Sequence, residues 1–293
     1  MEEEKQKKDS NKKRNKIILI SILIIVALII ILIILSNENI KTLISAETSE
    51  VTKEVITSDS YIGYYADVDG DGIVDGIIYA DLAIDGSGTW GDSWGTWEYS
   101  AVNISDLKEY YISSESYTDD YFGTNFIISL NQNSVGEDRF YVMALEDVDD
   151  SYHYWYYSAY ENLENNTGYT TNDFGAGITN TLEMLEAYES DLYGSKYTDG
   201  EYTELWGMDI VGSYVSSSEN SIWFVPSKSE WAAFGDAFEI TSENYNSTYG
   251  LKDDYWSSTQ CCAKRAYYAH FSDERITSEY VIDSFYVRLS TTF

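Results

Sequence analysis

Residues 17–35 are nineteen consecutive positions of Ile, Leu, Val and Ala, broken only by Ser21. As a helix rising about 1.5 Å per residue the run is about 28 Å long, which matches the hydrocarbon core of a bilayer. It is apolar on every face, so it has no polar side to turn towards water, as a helix in a soluble core would. A cleaved signal peptide fits poorly, because its apolar core runs about 7 to 15 residues and a small-x-small site follows closely. The nearest such candidate here, Ser45 with Ala46, lies well beyond Leu35. The run predicts an uncleaved membrane anchor over residues 17–36.

Seven bases (Lys5, Lys7, Lys8, Lys12, Lys13, Arg14 and Lys16) and four acids precede the anchor. Positive charge stays on the cytoplasmic side, so residues 1–16 form a basic cytoplasmic tail and everything later faces outward. The expected localisation is the plasma membrane, single-pass, with the C-terminal part extracellular. Residues 37–59 contain no aromatic residue, glycine or proline and read as a polar stalk. Fully extended, at about 3.3 Å per residue, it reaches at most roughly 75 Å.

The whole chain carries 18 Lys and Arg against 50 Asp and Glu, so 11 bases face 46 acids beyond the anchor. A surface this acidic repels phosphate backbones and anionic lipid head groups, which excludes nucleic acid as a partner. Acidity alone would suggest disorder, but 16% aromatic residues, including 28 Tyr and 8 Trp, supply enough apolar surface for a packed fold. Cys261 and Cys262 are adjacent, and neighbouring Cα atoms about 3.8 Å apart are too close for an ordinary disulfide. A loop pair of unremarkable thiols and an intermolecular bridge both remain open.

Residues 61–66 and 74–83 frame the acidic segment 67–75, D-V-D-G-D-G-I-V-D. Its spacing puts Asp67, Asp69, Asp71 and Asp75 at positions 1, 3, 5 and 9 of a calcium loop, with Gly72 at position 6 where the turn is sharp. Position 12, a bidentate Glu in a full EF-hand, is Ile78, so that ligand would come from elsewhere, with Asp81 as a candidate. No helix is expected on either side. A calcium site and a solvated acidic β-turn are both open readings.

Further along, residues 84–97 read as a loop packed by Trp90, Trp94 and Trp97. Strands are expected over 125–130, 139–145 and 151–160, and a short helix or strand over 106–113. Ile178, Leu182, Leu185 and Tyr188 recur at helical spacing, which predicts an amphipathic helix over 178–190, and a second is expected over 201–211. Pro226 and Ser227 followed by Glu230 form a capping-box start for a helix over 228–238. Short strands follow at 255–258, 265–271, 279–282 and 285–289. A helix feeding a run of terminal strands is an α+β pattern.

Three segments carry a resemblance: W-F-V-P-S-K-S-E-W from Trp223, Y-W-S-S-T from Tyr255, and F-Y-V-R-L-S from Phe285. They resemble the C-type-lectin fold as used by formylglycine-generating-enzyme-like and DUF1566 proteins, including variable proteins diversified by retroelements. The resemblance covers residues 221–293 and implies a C-type-lectin-like domain over 171–293, with 60–170 as a β-rich region that could form one unit with it. It also implies that Trp256, Ser257, Ser258, Tyr286, Val287 and Arg288 are framework. Residues 260–265, Tyr268, His270, 272–275 and 277–279 would then be display positions.

Hydrolase, metalloprotease, P-loop and dinucleotide motifs are all absent, and there are two histidines, His153 and His270. The formylglycine-generating branch needs reactive cysteines spaced apart, an arrangement that Cys261–Cys262 does not match. The expectation is a protein that is not an enzyme: a membrane-anchored binding protein with a protein or glycan ligand. Lys264, Arg265, Tyr268, His270 and Arg275 are its first-choice contacts, because aromatic and Arg side chains dominate interface affinity. The alternatives are a surface glycan or wall hydrolase with paired carboxylates and a structural envelope protein.

Overall fold

The computed structural model describes residues 53–84, 86–101, 103–155, 170–189, 211–212, 214–215, 222–262, 265–281 and 283–293. The expected tail, the anchor over 17–36, most of the stalk, most of the expected helix at 201–211, and Lys264 lie outside the described residues. Among the described residues no helix is long and apolar enough to cross a membrane.

The architecture is α+β, with β-structure dominant. The strands are β1 (Lys53–Glu54), β2 (Tyr65–Asp67), β3 (Gly76–Asp81), β4 (Gly88–Asp92), β5 (Gly95–Tyr99), β6 (Tyr110–Asp119) and β7 (Gly123–Leu130). They continue as β8 (Phe140–Ala144), β9 (His153–Tyr154), β10 (Asp254–Cys262), β11 (Arg265–His270), β12 (Arg275–Tyr280), β13 (Ser284–Phe285) and β14 (Ser290–Thr292). The helices are α1 (Gly177–Glu189) and α2 (Lys228–Ala237). A first sheet runs β1-β6-β7-β2-β3-β8-β14, a second runs β10-β11-β12-β4-β5, and β13 pairs with β9.

Residues 52–293 form one compact unit, and both halves of it contribute to both sheets. The last strand, β14, returns to pair antiparallel with β8, Thr291 opposite Val142. The hairpin β4–β5 leaves the first half and joins the second sheet through a parallel pairing of Asp92 with Ile276 on β12. Lys53 and Glu54, expected in the stalk, are instead the edge of the first sheet against β6.

Hydrophobic burial explains the layering. Tyr65, Ile77, Tyr79, Trp231, Phe234, Tyr255 and Phe271 form a core between α2 and the sheets. Trp155, Trp256, Val281, Val287 and Leu289 form another beside β10. Tyr61, Tyr110, Ile128, Phe140, Val142 and Phe293 fill the far side of the first sheet. The expected tryptophan loop is a regular hairpin: Trp90 is buried, the Trp97 indole donates to Ser229 Oγ at 3.0 Å, and Trp94 at the turn is 96% exposed.

Strand boundaries differ where polar residues do the pairing. The strand expected over 279–282 is β12, which ends at Tyr280, and Val281 packs into the core from the turn that follows. Beyond Phe285 the expected strand is extended backbone with a single bridge, Tyr286 to Tyr255, and the regular pairing resumes at Ser290.

The helix start is as the sequence implies. Ser227 Oγ accepts the Glu230 amide at 3.2 Å, and Glu230 Oε2 accepts the Ser227 amide at 2.6 Å. Glu230 is fully buried, and its other oxygen accepts the amides of Gly175 and Gly177 at 3.0 and 3.2 Å. A Cβ on Gly177 would lie 2.2 Å from that carboxylate, so only glycine lets α1 begin here. One side chain thus caps α2 and seats the start of α1. Glu230→Ala leaves three amides unpaired and a void, and is expected to cost about 3 kcal/mol or more in the denaturant midpoint of the 52–293 domain. A loss below about 1 kcal/mol would remove Glu230 from that role.

Candidate functional site

The acidic segment forms the turn between β2 and β3, which pair antiparallel with Tyr65 opposite Ile77. Gly70 and Gly72 sit at φ of 77° and 89°, the left-handed conformation that lets the chain fold back on itself. The aspartates hold the turn themselves. Asp67 accepts the amides of Gly70 and Gly72 at 2.9 and 3.2 Å, Asp69 accepts that of Asp71 at 3.0 Å, and Asp71 accepts that of Ile73 at 2.8 Å.

Carboxylate oxygens of Asp67, Asp69 and Asp71 all lie within 4.8 Å of one another. An all-oxygen set of this kind suits a hard cation such as calcium. Asp67 is 6% exposed, and desolvation, with the Asp69 charge beside it, raises its pKa in spite of its hydrogen bonds. Asp75 is not in the converging group; its Oδ2 accepts the Val68 amide at 2.6 Å. Burial first, then the charges of Asp69 and Asp67, push its pKa up to about 6. Asp81 does not supply the missing ligand. Arg139 grips it with Nε at 2.7 Å and Nη2 at 2.9 Å, in a pair 3% and 0% exposed. A bidentate, fully buried pairing leaves no lone pair for a distant ion.

The second candidate surface is the sheet of β10–β12. Trp256, Ser257 and Ser258 are buried, as are Val287 and Arg288, while Tyr286 is half-buried. The candidate contact residues on β11 and β12 are not bare cations. Arg265 Nη2 donates to Ser278 O at 2.5 Å, lies 3.5 Å from Glu279 and stacks over Tyr280. Arg275 Nη2 donates to Asp273 at 2.6 Å. Tyr268 packs against Phe285, ring centroids 4.3 Å apart, and edge-on to Trp256, so part of its ring belongs to the core.

His270 is ringed by acids that its position alone did not reveal. Its Nδ1 is 2.5 Å from Asp254 and 3.7 Å from Asp253, and its Nε2 is 3.4 Å from Asp273. Burial raises the Asp254 pKa, opposed by the hydrogen bond to His270. Asp253, Asp254 and His270 also bring ligand atoms within 4.8 Å of each other, a mixed nitrogen and oxygen set of the kind borderline metals accept. Cys261 and Cys262 at the end of β10 are free and exposed.

Sequence reading missed two further features. Lys228 is buried in a box of Trp97 and Tyr267, 3.5 and 4.3 Å from the ring centroids, with Asp92 2.6 Å away. Burial lowers its pKa, and the Asp92 bond opposes the shift. The adjacency of a lysine to the capping box was the available signal, but its partners lie in a hairpin far back in the chain. The other is a cleft beside Asp75, assembled from separate segments that no local pattern links.

No protein-family model, no curated protein and no solved structure matches this chain.

Asp75 gives a signed pH test. Its folded pKa of about 6 exceeds the ordinary 3.8, so folding favours the protonated form. That stability is complete below about pH 4 and is lost as pH rises through about 6. In the presence of a chelator, Asp75→Asn is expected to gain stability relative to wild type between pH 4 and 7, by about 1–2 kcal/mol after allowance for its partial exposure. Parallel melting curves across that range would show that the carboxyl carries no such strain.

Proposed function

We propose that the chain is a membrane-anchored, outward-facing binding protein that recognises its ligand without chemistry, on a C-type-lectin-like C-terminal surface. The observation that carries this reading is the division of side chains on β10–β12. Trp256, Ala266, Ala269 and Ile276 are buried on the two faces of this sheet, while Arg265 on one face and His270 and Arg275 on the other are half-buried near the strand ends beside acidic neighbours. The capping-box helix ahead of these strands supports it too, since the segments that carry the resemblance are buried apart from the half-buried Trp223, Phe285 and Tyr286. Such a surface suits a protein or glycan ligand. Paired charges lose less on desolvation than bare ones and can be exchanged between partners, which favours specificity over raw affinity.

Binding tests separate framework from surface. Trp256→Ala removes a buried ring whose indole donates to His153 O at 2.6 Å, and is expected to cost about 3–5 kcal/mol. Replacing Lys264, Arg265, His270 and Arg275 together by Ser is expected to leave the melting temperature within a few degrees, because exposed pairs contribute about 0–1 kcal/mol each. The same variant, displayed on cells, is expected to lose at least tenfold in binding to neighbouring cells or immobilised glycans. Full binding with an intact fold would defeat the assignment of this surface. The anchor reading requires that protease added to intact cells removes residues 61–293; complete protection would refute it.

The reading includes calcium on Asp67, Asp69 and Asp71. The three carboxylates lie close together with Asp67 buried, and a cation there would offset the desolvation, and the lesser repulsion from Asp69, that raise its pKa. Calcium at a hundredfold excess over its dissociation constant is expected to stabilise the domain by about 2.7 kcal/mol, seen as a rise in melting temperature. Asp69→Ala with Asp71→Ala is expected to abolish the rise. A wild-type domain indifferent to calcium would leave the segment as an acidic turn.

A further inference from the structure

A cleft of about 400 Å³ opens between the start of β3, the strand β6 and the segment that follows β8. Its size lies within the ordinary range for small-molecule sites, roughly 300–1,000 Å³. Three aromatic side chains, Tyr117, Tyr214 and Trp223, line it together with three carboxylates, Asp75, Glu146 and Asp147. Among the described residues no lysine or arginine lines the cleft, and its three carboxylates repel an anion.

The three acids differ in what they can offer a ligand. Asp147, with a side chain 8% exposed, already accepts Arg288 Nε at 2.7 Å and the Tyr255 hydroxyl at 3.0 Å. Its charge is therefore matched from inside the wall, by an arginine 4% exposed. Asp75 has one oxygen engaged by the Val68 amide at 2.6 Å and keeps the other. Glu146 has no partner among the described residues and presents its carboxylate outright. The cleft is thus rich in hydrogen-bond acceptors spread over its length, with aromatic side chains beside them and a cationic partner for one of its three carboxylates. A purely apolar ligand would strip water from these carboxylates with nothing in return. A compact ammonium ion brings three donors for these carboxylates but has no apolar face to lie on the aromatic rings, and a quaternary ammonium brings no donor at all. A sugar ring carries several hydroxyl donors on its rim and an apolar C–H face that lies flat on an aromatic ring.

We propose that this cleft is a binding site for a neutral saccharide, stacked on Tyr117 or Trp223 and held by hydroxyl donation to Glu146, Asp75 and Asp147. The site is independent of the C-terminal sheet surface, because no residue of β10–β12 lines it. Asp75 joins it to the acidic turn, since the same side chain that faces the cleft is fastened to the Val68 amide within that turn.

The test uses the full chain in a non-glycosidic detergent, probed with neutral oligosaccharides of glucose, galactose and N-acetylglucosamine by saturation-transfer NMR and titration calorimetry. At least one neutral oligosaccharide is expected to bind, and Glu146→Gln with Tyr117→Ala, both at partly exposed positions, is expected to weaken it tenfold or more with an unchanged melting temperature. The four-residue substitution at Lys264, Arg265, His270 and Arg275 is expected to leave saccharide binding unaltered, which separates this site from the sheet surface. Three results would overturn the proposal: no neutral saccharide binding by folded wild-type protein, binding that survives the cleft substitutions, or tighter binding of a tetramethylammonium probe than of any saccharide. Release of shortened sugars during the titration would overturn it as pure recognition and identify the cleft as a hydrolytic site.

Discussion

A single buried carboxylate holds the parts of this domain in register. Glu230 is out of contact with water, and ionising a group in such a place is costly enough to push its pKa to about 7. Three backbone amides, from Ser227, Gly175 and Gly177, offset much of that cost. The amides belong to two chain segments, so the same bonds that satisfy the carboxylate fix α1 against α2. The neighbouring residues extend the node outward. Lys228 reaches Asp92 on β4, Ser229 takes the Trp97 indole of β5, and the Trp231 indole donates to Trp256 O on β10 at 3.0 Å. Five consecutive residues therefore hold a helix, a hairpin from the first half of the domain and the leading strand of the second sheet.

Charge distribution follows from the same economy of cations. Of the 11 bases beyond residue 35, Arg139, Lys228 and Arg288 are buried in pairs with Asp81, Asp92 and Asp147. Each sits where two segments distant in sequence meet, and removing one partner would strand the other charge in a low-dielectric site. Arg265 and Arg275 are paired locally on the second sheet. The outer surface is left strongly acidic, and this favours ligands that bring hydrogen-bond donors or cations over those that bring phosphate or carboxylate.

The parts of the fold that were legible in the sequence are those written in local chemistry. The capping box at Ser227 and Glu230 marked the start of α2, and the spacing of Ile178, Leu182 and Leu185 marked α1. Strands rich in aromatic and β-branched residues, such as β7, β8 and β11, were also visible. β14 was not, because Ser-Thr-Thr carries no apolar signal; in its buried setting Ser290 Oγ donates to Val142 O and accepts from the Tyr79 hydroxyl. The hairpin β4–β5 looked like an aromatic-packed loop because glycines punctuate it between the tryptophans, and its strands are held by their mutual pairing and by β12 of the partner sheet. Of the site residues, the aspartate spacing exposed the acidic turn, but only tertiary structure showed that Asp75 turns away from the converging group and that Asp81 belongs to Arg139.

The two regions proposed to face ligands are built on different mechanical terms, and that bears on how freely each can change. The inner wall of the cleft is tied into the fold through Asp147, Arg288 and Tyr255, so a substitution at Asp147 disturbs bonds that also hold the fold, whereas the exposed Tyr117 and Glu146 can be exchanged at little cost. Several side chains at the tips of β10–β12 are tied to one another: Arg265 to Ser278 and Glu279, Arg275 to Asp273, Gln260 Nε2 to Cys262 O. Nothing in the Glu230 node depends on them. Residues there can be exchanged in compensating pairs of charge while the buried faces of the same strands, Trp256, Ala266, Ala269 and Ile276, keep the sheet in place. A sheet that buries both faces at its centre and carries its paired charges near the strand ends separates stability from recognition along the length of each strand.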